Sequence, residues 1–521
     1  MKTIFIQICF LFFAEAINAQ RICINTVSPS QDIVGASRNT IIAVEIDKPI
    51  DLVIIPGKNL FKVYGVNSGL VKGRIDIDTL RGKFFFVPDK PFYCGEIINA
   101  SFGPLISPDA DTLMSFNWRF TIEITNPTNA NFDSLKRFEY PSFYSIANDF
   151  DNDGDIDIVS ATGRVIYNDG TGSFNSYEEI EQLIDLKYLI DVNNDTILDI
   201  ITSSVNAANV FLGDSSSNYR IHQNIYSFSG LIIAKGDING DGFVDLIAKD
   251  GYGEDGMDFL WSKLINDGKV KFLIDTNAVY LENEISEADL IDMDKDGDLD
   301  LVLLNTWPSD PSTQFEGAYI YYNDGLGNFT DSLKTPFLLC PDYIYLSDLR
   351  QLFIIDYDLN GLNDIAGFGS LGGGLIILQD SNNSFCGYVE TAFAGAENFA
   401  FFTSGDVNGD NRFDLIVSNL QVCKECGDTG KVQMGVSFNH DPINFWSDSA
   451  NSFYQIGIRR DVGVAVVPVL ADVDDDGDLD VIHTGYPTTV TYNENVITDI
   501  EELHQPPSSF SLSQNYPNPF N

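Results

Sequence analysis

Seven short segments of the chain place carboxylate or amide side chains on alternate residues. Each follows the pattern Asp-x-Asp/Asn-x-Asp/Asn with Asp at the ninth position, and the copies begin at Asp149, Asp191, Asp237, Asp292, Asp356, Asp406 and Asp472. We number these nine-residue segments acidic loops 1 to 7. Oxygen atoms on alternate residues of a turn can converge on one hard cation, and Ca2+ prefers such a shell, whereas Mg2+ prefers fewer carboxylates and more water. We therefore expect structural Ca2+ at several sites, up to seven.

The other positions of the acidic loops are either fixed or variable. Position 9 is Asp in all seven loops, and we expect its side chain to complete the metal shell. Position 7 includes Asp155, Phe243 and Arg412, so only its backbone carbonyl can be a common ligand. Position 6 is Gly in five loops, as expected where the chain turns with positive φ. Asn411 suits that position and Thr196 does not, so loop 2 is the weakest of the predicted sites.

These expectations define the candidate metal ligands, which lie at positions 1, 3, 5, 7 and 9. The set comprises Asp149, Asp151, Asp153, Asp155, Asp157, Asp191, Asn193, Asp195, Asp199, Asp237, Asn239, Asp241, Phe243, Asp245, Asp292, Asp294, Asp296, Asp298, Asp300, Asp356, Asp358, Asn360, Leu362, Asp364, Asp406, Asn408, Asp410, Arg412, Asp414, Asp472, Asp474, Asp476, Asp478 and Asp480.

Two simpler interpretations of the acidic loops fit less well. Solvated turns are common, but carboxylates about 5 Å apart repel by roughly 3 kcal/mol per pair without a counter-ion. The loops hold 28 of the 76 acidic residues and the net charge is −46, which favours cations over nucleic acid or anionic membranes as partners. An EF-hand needs Glu at position 12 and a following helix. Here position 12 varies from Ser160 to His483, and strand-forming residues follow the loop.

The acidic loops recur at intervals of 42 to 66 residues, which is typical of repeat architectures. An aliphatic run follows each loop, and most units then contain a hairpin turn such as Asn168-Asp169-Gly170. About four strands per unit predict an all-β, seven-bladed β-propeller over residues 127–497. Residues 130–136 echo residues 327–334, an element that the last unit lacks. We therefore expect an N-terminal strand to close the last blade.

The acidic loop and the hairpin together resemble the FG-GAP repeat, also called the VCBS repeat, of integrin α-chain propellers and many secreted bacterial proteins. The resemblance covers about 370 residues. It implies a propeller whose calcium loops stabilise the scaffold without identifying a ligand.

Residues 20–126 contain no acidic loop and consist of short alternating segments such as residues 83–88. About seven strands in roughly 100 residues predict a β-sandwich. Segments 44–50, 86–92 and 116–121 resemble a bacterial Ig-like domain of S-layer and surface proteins. That resemblance implies an Ig-like N-terminal domain.

The two ends of the chain carry export signals. Residues 1–19 combine Lys2, a short apolar run and Ala19, the pattern of a secretory signal peptide, and no segment of the mature chain is long enough to span a membrane. Residues 498–521 are a linker and a Gln-Asn-Tyr-Pro-Asn-Pro-Phe-Asn string that resembles the start of a type IX secretion sorting domain, here truncated. The resemblance implies the type IX machinery as a partner and a secreted or cell-surface location in a Bacteroidota-like Gram-negative bacterium.

Six cysteines follow the signal peptide, which permits disulfides in an oxidising compartment. Cys23 and Cys94 lie in the same N-terminal segment, and we expect them to pair. Cys423 and Cys426 lie in a loop with no helix after it, which favours a local disulfide or free thiols over redox or metal chemistry.

The repeat motifs do not identify the ligand. Variable insertions at residues 306–317 and 419–430 fall on the face opposite the acidic loops, where we expect binding. Trp307 and Trp261 are candidate anchors, although a Trp in a blade is more often core packing. The four histidines are scattered without a nucleophile–base pair, so we expect a secreted or cell-surface binding or adhesion protein for a glycan or protein. Because carboxylates are plentiful, an extracellular propeller polysaccharide lyase or glycoside hydrolase is the alternative.

Overall fold

The structure is a computed structural model, and it describes residues 22–47, 60–106, 112–128, 130–132, 134–138, 144–204, 207–214, 219–225, 230–250, 259–275, 279–281, 283–308, 317–336, 349–369, 373–381, 384–392, 401–421, 431–439, 452–458, 467–485 and 488–493. Over these ranges the chain forms strands, turns and loops, so it is all-β there. No helix in this part of the chain is long and apolar enough to cross a membrane. The expected signal peptide, the C-terminal tail, Cys423 and Cys426 lie outside the described residues.

Two antiparallel sheets form an N-terminal sandwich. Their inward side chains, among them Val44, Phe84, Phe102 and Phe120, belong to one hydrophobic cluster. The first sheet contains, in spatial order, β1 (Ile24–Ser28), β2 (Ile42–Ile46), β6 (Lys83–Pro88) and β5 (Gly73–Asp78). The second sheet contains β10 (Phe116–Thr121), β7 (Ile97–Phe102), β3 (Phe61–Gly65) and β4 (Gly69–Leu70), and β8 (Leu105–Ile106) pairs with β9 (Thr112–Leu113).

The expected Cys23–Cys94 disulfide is wrong, because both residues are free thiols. Cys23 is exposed, and its N–H donates to Asp47 Oδ1 at 3.1 Å. Cys94 is buried with its sulfur 3.3 Å from Thr125 Oγ1, in a hydrophobic cluster that includes Leu479. Cys94 thus packs toward the acidic-loop region and not toward β1, which sequence proximity alone did not reveal.

Seven further sheets follow among the described residues, and each includes the strands on either side of one acidic loop. Sheet 1 contains β12 (Ser145–Asn148), β13 (Asp157–Ser160), β14 (Thr162–Asn168) and β15 (Phe174–Ile184). Sheet 2 contains β16 (Leu186–Ile190), β17 (Asp199–Ser204), β18 (Ala207–Gly213) and β19 (Tyr219–Asn224). Sheet 3 contains β20 (Gly230–Gly236), β21 (Asp245–Asp250), β22 (Phe259–Asn266), β23 (Phe272–Ile274) and the extra strand β24 (Val279–Leu281). Sheet 4 contains β25 (Asn283–Ile291), β26 (Asp300–Pro308), β27 (Gly317–Asn323) and β28 (Phe329–Pro336).

Sheets 5 to 7 repeat this arrangement. Sheet 5 contains β29 (Leu349–Ile355), β30 (Asp364–Gly369), β31 (Gly373–Gln379) and β32 (Phe385–Ala392). Sheet 6 contains β33 (Phe401–Gly405), β34 (Asp414–Gln421), β35 (Lys431–Ser437) and β36 (Ser452–Ile458). Sheet 7 contains β37 (Val467–Ala471), β38 (Asp480–Thr484), β39 (Thr488–Tyr492) and, from much earlier in the chain, β11 (Ser134–Phe138).

The outer strand of sheet 7 is the pairing that the sequence echo predicts. β11 runs antiparallel to β39, with Ser134 opposite Tyr492 and Phe138 opposite Thr488. The segment before acidic loop 1 is therefore hydrogen-bonded to the last strand of the acidic-loop region. No hydrogen-bonding edge of β39 is left for another chain to pair with.

The second strands of sheets 1, 5 and 7 are buried along their whole length, because neighbouring sheets cover both of their faces. Every residue of β13, β30 and β38 is buried. Val159 of sheet 1 shares a hydrophobic cluster with Ile200 of sheet 2, while Ile158 shares another with Ile482 of sheet 7. Sheet 1 thus packs against both the next sheet and the last one, and the arrangement is propeller-like.

Candidate metal loops

The acidic loops join the first and second strands of their sheets through one common backbone turn. Positions 4 and 6 have positive φ in all seven loops. Thr196 adopts this conformation at φ 72° and Asn411 at φ 63°, so loop 2 has the same backbone turn as the other loops despite its β-branched residue. The turn at position 4 was missed in the sequence, because that position holds residues as different as Lys295 and Leu359.

The position 1 carboxylate is held at the centre of loops 2 to 7. In loop 7, Asp472 Oδ1 accepts the N–H of Asp476 and Oδ2 accepts the N–H of Gly477, both at 3.1 Å. The corresponding N–H groups of positions 5 and 6 donate in the same way in loops 2 to 6. The backbone therefore fixes each position 1 carboxylate before any ligand is added.

The invariant Asp at position 9 has a structural role that the sequence did not reveal. Asp300 Oδ2 accepts the N–H of Met293 at position 2, and Asp300 Oδ1 accepts the N–H of Asn323 at the end of the third strand, both at 2.9 Å. Both bonds recur in all seven sheets. Position 9 thus ties the loop to the third strand, and its remaining lone pairs can still face a cation.

Four loops bring three carboxylates together. One oxygen from each member of these groups lies within 4.8 Å of the others: Asp149, Asp151 and Asp153; Asp292, Asp294 and Asp300; Asp356, Asp358 and Asp364; Asp472, Asp474 and Asp480. Loops 2, 3 and 6 have Asn at position 3, and its amide donates to the position 5 carboxylate, for example from Asn239 to Asp241 at 3.0 Å. These three loops offer fewer charges and more neutral oxygens.

Burial strongly perturbs the loop carboxylates. It is the main cause that raises the pKa of Asp245, Asp300 and Asp364 to about 8. At position 1, burial and neighbouring aspartates raise the pKa of Asp472 to about 7. Such groups resist ionisation because their negative charges are both desolvated and close together. A bound cation would remove both penalties.

Asp478, at position 7 of loop 7, gives the clearest test of whether a cation fits. Its side chain is fully buried, and among the described residues no group donates a hydrogen bond to either carboxylate oxygen. Burial, together with Asp476 and Asp472, raises the pKa of Asp478 to about 9. A buried acceptor without a partner is costly, and a divalent cation is the partner that this all-oxygen site fits.

Position 7 differs in loops 1, 3 and 4, where its side chain lies against the hairpin of the same sheet. A Cβ added to Gly170 would lie 2.8 Å from Asp155 Oδ2, and one added to Gly325 would lie 2.4 Å from Asp298 Oδ2. Phe243 is equally close to Gly268. The positive φ favours glycine in these hairpins, and an added Cβ would also force the position 7 side chain to shift. With the side chain so placed, the backbone carbonyl is the group that position 7 can offer.

The N-terminal sandwich and its linker cover the acidic loops, which the sequence did not indicate. Hydrogen bonds connect them to every loop, and several involve metal-candidate residues directly. The contacts are Tyr93 OH to Asp149 Oδ2 (3.0 Å), Tyr64 OH to Asp191 O (3.4 Å), Ser115 N–H to Gly240 O (3.3 Å), Gln31 Nε2 to Asp292 Oδ2 (3.1 Å), Asn363 Nδ2 to Asp32 Oδ2 (3.3 Å), Thr128 Oγ1 to Val407 O (3.4 Å) and Thr125 N–H to Gly477 O (3.0 Å).

The two tryptophans proposed as anchors have different outcomes. Trp261 is only 2% exposed and packs edge-on against Tyr321 and Phe329, so the anchor hypothesis is wrong for this residue and the core interpretation is confirmed. Trp307 lies within β26, and its side chain is outside the described residues. β26 and β34 each begin at an acidic loop and end away from it, and residues 309–316 and 422–430 of the insertions lie outside the described residues.

Comparison with known proteins identifies no family for this chain. No family model and no curated protein matches the chain. A solved Agrocybe aegerita lectin that recognises non-reducing terminal N-acetylglucosamine is 15% identical, covers 77% of this chain and 91% of its own, and has a TM-score of 0.37. A quinoprotein alcohol dehydrogenase-like protein from Bacteroides thetaiotaomicron is 12% identical and has a TM-score of 0.33. The match covers 83% of this chain and 96% of that protein. Similarities of this size do not tell what the chain binds.

Proposed function

We propose that this chain is a secreted or cell-surface binding protein built on a calcium-stabilised, seven-bladed propeller of the FG-GAP/VCBS type with an Ig-like N-terminal domain. Loop 7 carries the proposal, because Asp472, Asp474 and Asp480 converge beside the buried, unpartnered Asp478. The seven sheets with one acidic loop each, and the closing strand β11, support the blade assignment.

Calcium suits these loops better than magnesium. Ca2+ accepts about 6 to 8 oxygen ligands in flexible geometry, whereas Mg2+ keeps several waters. Each loop offers side-chain oxygens at positions 1, 3, 5 and 9 together with a backbone carbonyl at position 7. The ion would neutralise the raised-pKa carboxylates and hold the loop on which the sandwich rests. Its role is structural.

The covered acidic face supports ligand binding on the other side of the propeller. The sandwich and its linker contact every acidic loop, so a glycan or protein ligand meets the opposite face first. β26 and β34 end away from the acidic loops, and the sequence insertions follow them in the chain. The sequence patterns at the two ends support export by the type IX machinery to the surface of a Bacteroidota-like Gram-negative bacterium.

The metal part of the proposal is tested by thermal melting of the full chain. We expect excess EDTA to lower the melting temperature and Ca2+ to restore it at submillimolar to millimolar concentration, as in extracellular modules, because an ion that binds only the native state stabilises it. Mg2+ at equal concentration should restore less. Identical melting in EDTA and in Ca2+ would refute the calcium assignment.

The binding part is tested with a glycan array and with candidate polysaccharides analysed by mass spectrometry. Binding without new reducing or unsaturated ends supports a binding protein. Release of oligosaccharide products would instead identify a lyase or a hydrolase.

A further inference from the structure

A cavity of about 360 Å³ lies between the sandwich and the first strands of sheets 2, 3 and 4. The sandwich lines it with residues that include Asn99 and Trp118, and the sheets contribute Tyr188, Lys235 and Asp289. Its volume is within the range of small-molecule sites, about 300 to 1,000 Å³. Neither the metal loops nor the expected binding face accounts for it.

Lys235 and Asp289 line this cavity from β20 and β25. Both side chains present accessible surface, although they are enclosed by protein. A side chain that is accessible and yet enclosed lies on the wall of an internal space. The cavity wall therefore carries charged groups of both signs, and Lys235 and Asp289 are two of them.

Within the described part of the chain, neither of these charges has an ion-pair partner. The Lys235 ammonium lies 4.9 Å from the centre of the Tyr188 ring, a cation–π contact. Asp289 Oδ1 accepts only the N–H of the next residue, Leu290, at 2.9 Å. The two charges attract each other without forming a salt bridge with each other.

The other charges around the cavity narrow the class of ligand. Arg119 forms an ion pair with Asp32 at 3.3 Å, and its charge also attracts Asp289. Lys62 Nζ has no hydrogen-bond partner among the described residues, is attracted by Asp237, and lies 5.4 Å from the centre of the Phe243 ring. Asp237 and Asp292 also line the cavity, but as position 1 of loops 3 and 4 they are assigned to calcium.

These charges disfavour a ligand that carries charge of only one sign. A simple anion would be repelled by Asp289, and a simple cation would be repelled by Lys235 and Lys62. A small molecule that carries both charges avoids each repulsion and satisfies both groups. Trp118, Tyr64, Tyr188 and Val66 add apolar surface to the wall, which suits a hydrocarbon side chain.

We propose that this cavity is a binding site for a small zwitterion with the chemistry of a free α-amino acid, its carboxylate toward Lys235 and Lys62 and its ammonium toward Asp289. This site binds an organic zwitterion, whereas the acidic loops bind Ca2+. It adds a small-molecule ligand to the proposed binding function.

Isothermal titration of the calcium-saturated full chain tests the proposal with four amino acids of different side-chain class: L-leucine, L-phenylalanine, L-glutamate and L-lysine. We expect at least one to bind at millimolar concentration or below. Two analogues of leucine provide the matched comparison. 4-Methylpentanoate lacks the ammonium and isopentylamine lacks the carboxylate, and each should bind at least about tenfold more weakly than leucine if leucine is a ligand.

Two near-isosteric variants test the assigned groups. Lys235→Met and Asp289→Asn should each weaken binding of the tightest amino acid by about tenfold or more. Lys72→Met and Asp185→Asn make the same chemical changes at exposed positions and should leave binding unchanged. The proposal is overturned if none of the four amino acids binds, or if neither cavity variant weakens binding. The calcium-dependent melting shift, measured on the same samples, reports separately on folding and on the proposed metal function.

Discussion

The side-chain amide of Asn168 donates a 2.7 Å hydrogen bond to the backbone carbonyl oxygen of Val473, and so joins sheet 1 to sheet 7. In sheets 3 to 7, a residue at or just after the end of the third strand makes the same kind of bond to the preceding sheet. The acceptor is always position 2 of an acidic loop. We call these bonds the latches, and their other donors are Asn266, Asn323, Gln379, Asn439 and Asn493.

The latch of sheet 4 should contribute measurably to stability. Asn323 Nδ2 donates to Ile238 O at 2.7 Å and to Leu299 O at 3.2 Å, and the residue is buried. Asn323→Leu keeps the size of the side chain but removes both donors. We expect the free energy of unfolding to fall by about 2 to 4 kcal/mol in urea denaturation with calcium present. The exposed Asn175→Ala is the control, and equal stability of the two variants would contradict a role for the latch.

Sheet 2 lacks the latch because Gly213 occupies the donor position. Supplying the missing amide should nevertheless destabilise the protein. A Cβ at this position would lie 2.4 Å from the carbonyl oxygen of Leu198, so the backbone would have to move. We expect Gly213→Asn to lower the melting temperature in calcium. A higher melting temperature would mean that the backbone shifts at little cost and that the new hydrogen bond stabilises the protein by more than the strain destabilises it.

The sequence predicted those features that depend on local chemistry repeated at a regular interval. The acidic loops, the Asn-Asp-Gly hairpins and the pairing of β11 with β39 all follow from such patterns. It did not predict the latches, because Asn168 and Val473 are 305 residues apart and a hairpin Asn is already explained by its turn. The sandwich contacts were missed for a related reason. Tyr93 and Asp149 meet through tertiary packing, which no periodic pattern records.

Asp478 should respond in opposite ways to the presence and absence of calcium. Without the ion it is a buried carboxylate with no hydrogen-bond partner, so Asp478→Asn should be at least as stable as the wild type in EDTA. In calcium the variant loses a negative charge beside the proposed ion and should gain less from it. The measurement is a pair of melting curves for each protein. Equal destabilisation of the variant in both conditions would count against a cation at loop 7.

Arg119 should be essential for seating the sandwich on loop 5. Its guanidinium pairs with Asp32 at 3.3 Å and donates to Asn363 Oδ1 at 3.1 Å and to Ile354 O. Removing one partner of a buried ion pair leaves the other uncompensated, at a cost of about 3 to 5 kcal/mol. Because Lys295 still lies 3.4 Å from Asp32, we expect Arg119→Met to cost about 2 to 3 kcal/mol in denaturant unfolding.

The exposed pair of Arg74 and Asp76 provides the control for that experiment. Arg74→Met removes the same kind of charge from solvent, where an ion pair contributes about 0 to 1 kcal/mol. Limited proteolysis of residues 122–134 should be faster in Arg119→Met than in Arg74→Met. Equal rates and equal stabilities would show that Arg119 does not hold the sandwich in place.

His483 should make the protein less stable in mild acid. It is buried, its ring nitrogens lie 3.1 Å from Ser418 Oγ and 2.9 Å from Thr491 Oγ1, and burial lowers its pKa to about 3. Below the ordinary histidine pKa of about 6.5, His483 binds a proton in the unfolded chain but not in the native state. Proton binding stabilises the unfolded chain, so this contribution to stability is present above that pH and is lost as the pH falls. Between pH 7.5 and pH 5 this linkage amounts to about 2 kcal/mol.

The comparison of His483→Gln with the wild type isolates this effect, since all carboxylates are common to both proteins. Urea denaturation at constant calcium should show the stability advantage of the wild type shrinking by about 2 kcal/mol from pH 7.5 to pH 5. His222→Gln changes an exposed histidine and should leave the pH profile of the wild type unaltered. Parallel profiles for His483→Gln and the wild type would mean that the native state accommodates the imidazolium, contrary to the enclosed site between Ser418 and Thr491.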